Sequence, residues 1–355
     1  MDRRDFCIAA ASATLLSPDI LFARQIRQAG LKRVVIDPRI ELMSIVHMLG
    51  GYFLTTEANM TYKDDANRYF AKYRSHPAVT LAKKLADAEF AFDRVPDLLL
   101  RLTAPDALTW RSDLSSEIPE GIPDEMQRIE FLAALRDFAK VSKFSSFFAQ
   151  NRRLYNRVVR SIEPGVNPNV EALEAYTGSS LGQWQVIAGL LMLDGGFGPR
   201  LLRKDGAFES YSLIGPYYMS SGNPDFTHSD RLQDLIVHEL GHSLINPLSD
   251  QHLPSVQKYA GRFDALREAM KKVGAYDDWL IVVNEHVLRA VTARVAAQRL
   301  GQAKADAAAA EEVKRGFAYI PKLIERLRFY EANRQKWPTL GDYYPELLTA
   351  FEIPA

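Results

Sequence analysis

The pentapeptide His238-Glu239-Leu240-Gly241-His242 lies in a segment whose apolar residues recur at helical spacing. The apolar positions of this segment are Leu232, Leu235, Ile236, Leu240 and Leu244. The pattern predicts a largely buried helix that ends at Asn246-Pro247. Burial of two imidazoles and a carboxylate is costly unless a partner satisfies them, so the fold must supply such a partner.

A metal ion is the partner that this spacing favours. Residues four apart stack on one face of a helix, so His238 and His242 can reach one ion. Glu239 follows the first ligand, where its carboxylate can face a water molecule without itself being a ligand. We therefore expect one Zn²⁺ ion, with Glu239 as the general base. The alternative is a polar patch or a hydrogen-bonded core pair that binds no metal.

A third protein ligand is expected on a second apolar helix, within residues 279–295. That segment is interrupted by the polar residues Asn284, Glu285, His286 and Arg289. Glu285 is the predicted third ligand and His286 is its rival. Neighbouring helical residues point about 100° apart, so only one of the two is expected to face the metal.

These two segments together resemble the gluzincin branch of the zinc metallopeptidases. The chain also resembles an uncharacterised bacterial family that is regarded as zinc metallopeptidases and described as a domain of unknown function. The matching stretches are residues 37–46, 75–79, 195–200, 238–242, 285–294 and 316–321. The resemblance implies a zincin-like fold and the ligand set His238, His242 and Glu285, but it does not imply a substrate.

Arg289 departs from the gluzincin pattern, in which the residue four after the glutamate ligand is often an aspartate that supports the first histidine. An arginine cannot accept the imidazole N–H, so another group must orient His238. Arg289 could hold Glu239, Glu285 or a substrate carboxylate, or it could form a structural ion pair.

Hydrolysis would also require a donor for the developing oxyanion. Tyr319 is the candidate, because Gly316 and Pro321 bracket it near a predicted helix start. The alternative for Tyr319 is core packing with its hydroxyl bonded elsewhere.

The expected fold class is α+β and predominantly α-helical, zincin-like, with a small mixed sheet beside the motif helix. Strands are predicted at residues 31–36, 184–192 and 208–215. Residues 208–215 are expected to form the sheet edge above the helix, where an extended peptide could add by main-chain hydrogen bonds. Residues 24–180 are interpreted as an N-terminal helical region, and residues 181–355 as the zincin-like catalytic region with C-terminal helices.

Residues 1–23 are similar to a twin-arginine export signal. Arg3 and Arg4 precede an apolar stretch that is too short for a comfortable transmembrane helix. Cys7 is the only cysteine of the chain, so the mature protein would have no thiol. A periplasmic or secreted location is expected, with no stable membrane insertion after signal cleavage.

Charge excludes one class of partner. The chain has 44 basic residues (Lys and Arg) and 44 acidic residues (Asp and Glu), so no net electrostatic field attracts nucleic acid.

The predicted function is a zinc-dependent peptidase that acts on a peptide or protein substrate. The alternatives are a zinc hydrolase of a non-protein amide, such as one in a cell-wall peptide, and a noncatalytic binding protein that contains a metal.

Overall fold

The computed structural model describes residues 32–352 except 119–120, 217, 221, 227–229 and 275. The predicted export signal at residues 1–23 lies outside the described residues. No helix within the described ranges combines the length and apolar character that are needed to cross a membrane.

The chain is mostly helical with a small mixed sheet, which confirms the α+β prediction. The helices are α1 (Pro38–Gly50), α2 (Thr61–Phe70), α3 (Pro77–Asp87), α4 (Arg94–Leu100), α5 (Glu125–Val141), α6 (Phe144–Gln150), α7 (Arg152–Thr177), α8 (Asp230–Gln251), α9 (Leu253–Gln257), α10 (Phe263–Gly274), α11 (Trp279–Leu300), α12 (Gln302–Arg315), α13 (Ile320–Ala332) and α14 (Leu340–Leu347). The strands are β1 (Lys32–Val35), β2 (Gln183–Ala188), β3 (Gly196–Phe197), β4 (Arg200–Leu202), β5 (Phe208–Ile214), β6 (Tyr218–Ser220) and β7 (Asn223–Asp225).

The main sheet has the order β1-β2-β5-β3, and β4 also pairs with β5. Strands β1, β2 and β5 are parallel, whereas β3 and β4 run antiparallel to β5. A separate hairpin joins β6 to β7. The three predicted strands are confirmed, although the second ends at Ala188 instead of residue 192.

The prediction that residues 208–215 form the sheet edge is wrong. Strand β5 lies between β2 on one side and β3 and β4 on the other. Its residues from Glu209 to Ile214 are all buried, which suits an internal strand. The edge beside helix α8 is instead β3, a two-residue strand too short to be recognised from a periodic pattern.

Strand β1 belongs to the proposed N-terminal region, yet it pairs with β2 of the proposed catalytic region. The division at residue 180 stays a prediction, but the two regions share this sheet.

The motif helix α8 packs against β5, β3, α7 and α11. The sequence predicts that this helix ends at Asn246-Pro247, but the helix continues to Gln251. A proline inside a helix removes one hydrogen bond and costs about 3 kcal/mol. Packing offsets this cost, because Ile245 and Ser249 are fully buried and the Ser249 hydroxyl bonds to that of Tyr344 at 2.5 Å.

Helix α11 is the second element that positions the site. Asp278 caps its first turn by accepting hydrogen bonds from the backbone N–H groups of Leu280 and Ile281. The helix is buried along most of its length and contacts α8, α12 and α13. Its polar residues therefore lie in the interior, where each needs a partner.

Candidate metal centre

His238, His242 and Glu285 come together at the crossing of α8 and α11. Each residue offers one ligand atom, and these atoms all lie within 4.8 Å of one another. The Nε2 atom of His238 is 3.7 Å from Oε2 of Glu285, and Nε2 of His242 is 3.6 Å from Oε1. Both distances exceed those of ordinary hydrogen bonds, so the atoms converge without bonding each other.

The donor set fits zinc. Two imidazole nitrogens and one carboxylate form a common set of zinc ligands. Two atoms bound to one tetrahedral zinc lie roughly 3.4 Å apart, which is close to the separations seen here. The three protein ligands would leave a fourth position free for water or substrate.

His238 is in the protonation state that metal binding requires. Burial lowers the pKa of His238 well below its ordinary value, and the charge of Arg289 acts in the same direction. A neutral imidazole has a lone pair available for a metal. His238 therefore carries no positive charge and does not form an ion pair with Glu285.

Gly241 permits the close crossing of the two helices. A Cβ atom at this position would lie 2.4 Å from Cδ1 of Leu288 on α11. Leu288 is one helical turn from Glu285, so the glycine allows α11 to bring Glu285 close to the histidines. The glycine of the pentapeptide thus has a packing role of its own.

His286, the rival ligand, points away from the centre. Its side chain is fully buried, and its Nδ1 atom lies 2.8 Å from the carbonyl oxygen of Val282. Its ring packs against Phe317, Tyr319 and Phe351. The structure thus brings Glu285, and not His286, to the two histidines of α8.

Arg289 holds Glu285. Its Nη2 atom donates to Oε2 of Glu285 at 2.9 Å, and its Nη1 atom lies 3.1 Å from Oε2 of Glu312. The guanidinium also stacks over the ring of Phe317, with Cζ 4.2 Å from the ring centroid. The sequence left several partners open for Arg289. In the structure, Arg289 is hydrogen-bonded to the candidate ligand Glu285.

Glu239 is buried beside the centre. Burial raises the pKa of its carboxyl well above the usual value, and the charges of Glu285 and Asp93 act in the same direction, while Arg289 opposes them. The main chain at Gly196 approaches so closely that a Cβ atom there would lie 2.8 Å from Oε1 of Glu239. Such surroundings favour the protonated form of a carboxyl, because burial and like charges disfavour the charged form.

The edge strand and the turn after it lie directly against α8. A Cβ atom at Gly198 would lie 2.2 Å from the carbonyl oxygen of Glu239 and 3.0 Å from Cδ2 of His242. Only glycine fits at this separation. Within the described residues, no strand pairs with the other side of β3, so β3 is an edge strand of the main sheet.

Tyr319 lies in the core. Its side chain is 2% exposed, and its ring packs against Phe351 with centroids 4.7 Å apart. A phenol near the metal centre is that of Tyr276, on whose hydroxyl the charges of Glu285, Arg289 and Glu239 act. Burial raises the pKa of Tyr276, and the charges of Glu285 and Glu239 raise it further, so the hydroxyl keeps its proton.

A polar cleft of about 320 Å³ opens next to His242. Charged residues line it, and they come from distant parts of the chain: Asp93, Arg94, Asp97, Arg200 and Asp250. Asn246 also lines the cleft, and its Oδ1 atom lies 3.3 Å from Nδ1 of His242. The sequence analysis treated Asn246 only as part of the predicted helix end, although Asn246 lies four residues after His242 on the same helical face.

A family profile described as Domain of unknown function (DUF4932) matches residues 33–350. The chain belongs to this family. No curated protein and no solved structure matches it. The matched region of the DUF4932 chain contains all three candidate ligands and Glu239, so the centre described above belongs to the family domain.

Proposed function

We propose that the chain is a zinc-dependent peptidase with a zincin-like arrangement of helix and edge strand. The observation that carries the proposal is the convergence of His238, His242 and Glu285, with the buried Glu239 and the edge strand β3 beside them. His238, His242 and Glu285 would hold the ion. A zinc ion bound there would activate water and polarise an amide carbonyl.

Glu239 is the proton carrier in this proposal. Its carboxylate takes a proton from the attacking water and delivers it to the leaving amine. The second transfer restores the carboxylate, so the residue is ready for another cycle.

Tyr276 replaces Tyr319 as the proposed oxyanion donor. Tyr276 lies close enough to Glu285 and Glu239 for their charges to raise the pKa of its hydroxyl, so the phenol keeps its proton beside the centre. A protonated phenol can donate a hydrogen bond to a developing oxyanion. The buried position of Tyr319 offers no such access.

The outer edge of β3 is the proposed binding place for the substrate main chain. An extended peptide can add to an open strand edge through backbone hydrogen bonds. Gly196 and Gly198 bring this edge against Glu239 and His242, so an added peptide would pass directly over the centre. A peptide or protein is the substrate class that uses such an edge.

The test is hydrolysis of an extended peptide library by the zinc-loaded wild type and by the Glu239→Gln variant. We expect the variant to bind zinc normally and to lose roughly 10²–10⁴-fold in rate, because general-base catalysis contributes a factor of this size. The matched control is Glu171→Gln, which changes an exposed glutamate of α7. Equal hydrolysis by the wild type and the Glu239→Gln variant, or none by either, would overturn the proposal.

A further inference from the structure

The polar cleft next to His242 is called the metal cleft below. An apolar cavity of about 50 Å³ lies on the other side of α4 and β3 from this cleft. Its wall is formed mainly by apolar side chains, which include Ile40, Met43, Val95, Leu99, Phe197 and Leu213. None of the described residues that line it is Asp, Glu, Lys or Arg. The cavity is open to the surface and is not a closed packing defect.

Helix α4 borders both spaces, and so does the chain at the end of β3. On α4, Val95 and Leu99 line the cavity, whereas Arg94 and Asp97 line the metal cleft. Phe197 of β3 lines the cavity, and Gly198, the residue directly after β3, lines the cleft. Since successive side chains of a strand point to opposite faces, a peptide added along β3 would present alternate side chains to the cleft and to the cavity.

Phe92 stands at the border of the cavity in an unfavourable backbone conformation. Its φ angle is 55°, in the left-handed region that aromatic residues rarely adopt. Its backbone N–H donates to the hydroxyl of Tyr52 at 3.0 Å, which holds the turn in place. The Phe92 side chain remains 44% exposed, so the strained turn displays an apolar ring at the cavity. Strain of this kind is concentrated at binding sites.

His47 does not give the cavity a charge. Its ring stacks on Tyr52 with centroids 3.9 Å apart. Burial lowers the pKa of His47 to about 3, so the imidazole is neutral at neutral pH. An uncharged wall of this kind discriminates against charged occupants, because they would lose their hydration without gaining a partner.

We propose that this cavity is a specificity subsite that receives one apolar substrate side chain of about the size of leucine. This inference rests on the proposed peptidase function and on main-chain binding along β3. One water molecule needs a cavity volume of about 10–15 Å³, so this cavity of about 50 Å³ accommodates about four heavy atoms. Leucine, isoleucine and methionine side chains have four, whereas that of tryptophan is too large.

The experiment scans one position at a time of an extended hexapeptide with Ala, Leu, Trp and Asp, using two readouts. The first is kcat/KM for the zinc-loaded wild type. The second is binding of the same fluorescently labelled peptides to zinc-loaded Glu239→Gln by anisotropy. We expect one position at which Leu exceeds both Ala and Trp by roughly 10- to 100-fold in both readouts, because a few buried methylene groups give discrimination of this size.

Two variants link the preference to the cavity. Ser44→Leu places a larger side chain on the cavity wall, so the preference at that position should move from Leu to Ala. Phe92→Gly removes part of the border and relieves the positive φ, so it should weaken the preference without a loss of stability. The control is Phe53→Ala, because Phe53 is exposed and contacts Phe92 but does not line the cavity.

The outcomes separate this inference from the function on which it rests. Turnover with no apolar preference at any position, or a preference that Ser44→Leu leaves unchanged, would overturn the subsite and leave the peptidase intact. A Leu preference in binding, with no turnover by the wild type, would overturn the peptidase and support the cavity as a binding site for apolar side chains.

Discussion

Arg289 donates a hydrogen bond of 2.9 Å to Glu285, while the two oxygens of Glu285 face one imidazole each. The Glu285 carboxylate thus faces both histidines of the neighbouring helix and is oriented by a residue one turn further along its own helix. The aspartate often found at this position in gluzincins would support a histidine, whereas this arginine supports the candidate glutamate ligand.

Arg289→Met should weaken zinc binding by about 10- to 100-fold, since groups that orient metal ligands contribute to affinity on this scale. Removal of the positive charge of Arg289 would by itself favour zinc binding. Glu312, which lies 3.1 Å from the guanidinium, already offsets that charge. Competition with a chromogenic chelator measures the affinity. Arg267→Met, on the exposed face of α10, is the control, and equal affinities for both variants would contradict the role assigned to Arg289.

Tyr276→Phe should lower kcat by roughly 10²–10³-fold, the cost of removing one oxyanion donor, and should leave zinc content unchanged. Tyr319→Phe should leave kcat within a few fold of the wild-type value, since the phenol of Tyr319 lies in the core. Steady-state kinetics of the two variants provide the measurement. The reverse order of effects would restore Tyr319 as the donor.

Gly198→Ala should destabilise the protein by about 1–3 kcal/mol, because the added methyl group would collide with the carbonyl of Glu239 and force the edge strand away from α8. Activity should fall with it. Gly261→Ala has open space around the added methyl group and no positive φ, so its free energy of unfolding should stay within about 0.5 kcal/mol of the wild type. Urea unfolding compares the two variants, and a neutral Gly198→Ala would exclude the close approach described here.

Glu41 makes stability depend on pH. Burial raises the pKa of its carboxyl to about 7, although the Tyr62 hydroxyl donates to it at 2.6 Å. An acid whose pKa is raised on folding contributes stability that is full below the unfolded value of about 4.3 and is lost as pH rises through about 7. Glu41→Gln should therefore be more stable than the wild type at pH 8, by up to about 4 kcal/mol, with the advantage disappearing towards pH 4.

Urea unfolding across this pH range tests the role of Glu41. Glu171→Gln, an exposed counterpart, should follow the wild-type curve throughout. A constant difference between Glu41→Gln and the wild type at every pH would exclude the linkage.

The local pattern of the sequence predicted the elements that carry the three candidate ligands. Helical spacing placed His238 and His242 on one face, and a carboxylate in a second apolar helix indicated Glu285. The strands were also found, but the order of strands in a sheet is set by long-range pairing, so the sequence could not show that β5 is internal. Gly198 and Tyr276 were missed for the same reason, since their importance comes from contacts with distant elements. The glycine-rich run at 195–198 was the one available signal.

Zinc content is the most direct test of the candidate centre. The wild type, Glu285→Ala and His286→Ala should be loaded with zinc, freed of excess metal and analysed by elemental mass spectrometry, with circular dichroism to verify folding. We expect one zinc per chain for the wild type and for folded His286→Ala, and a large loss for folded Glu285→Ala. No bound zinc in the folded wild type, or full zinc content in Glu285→Ala, would contradict this expectation.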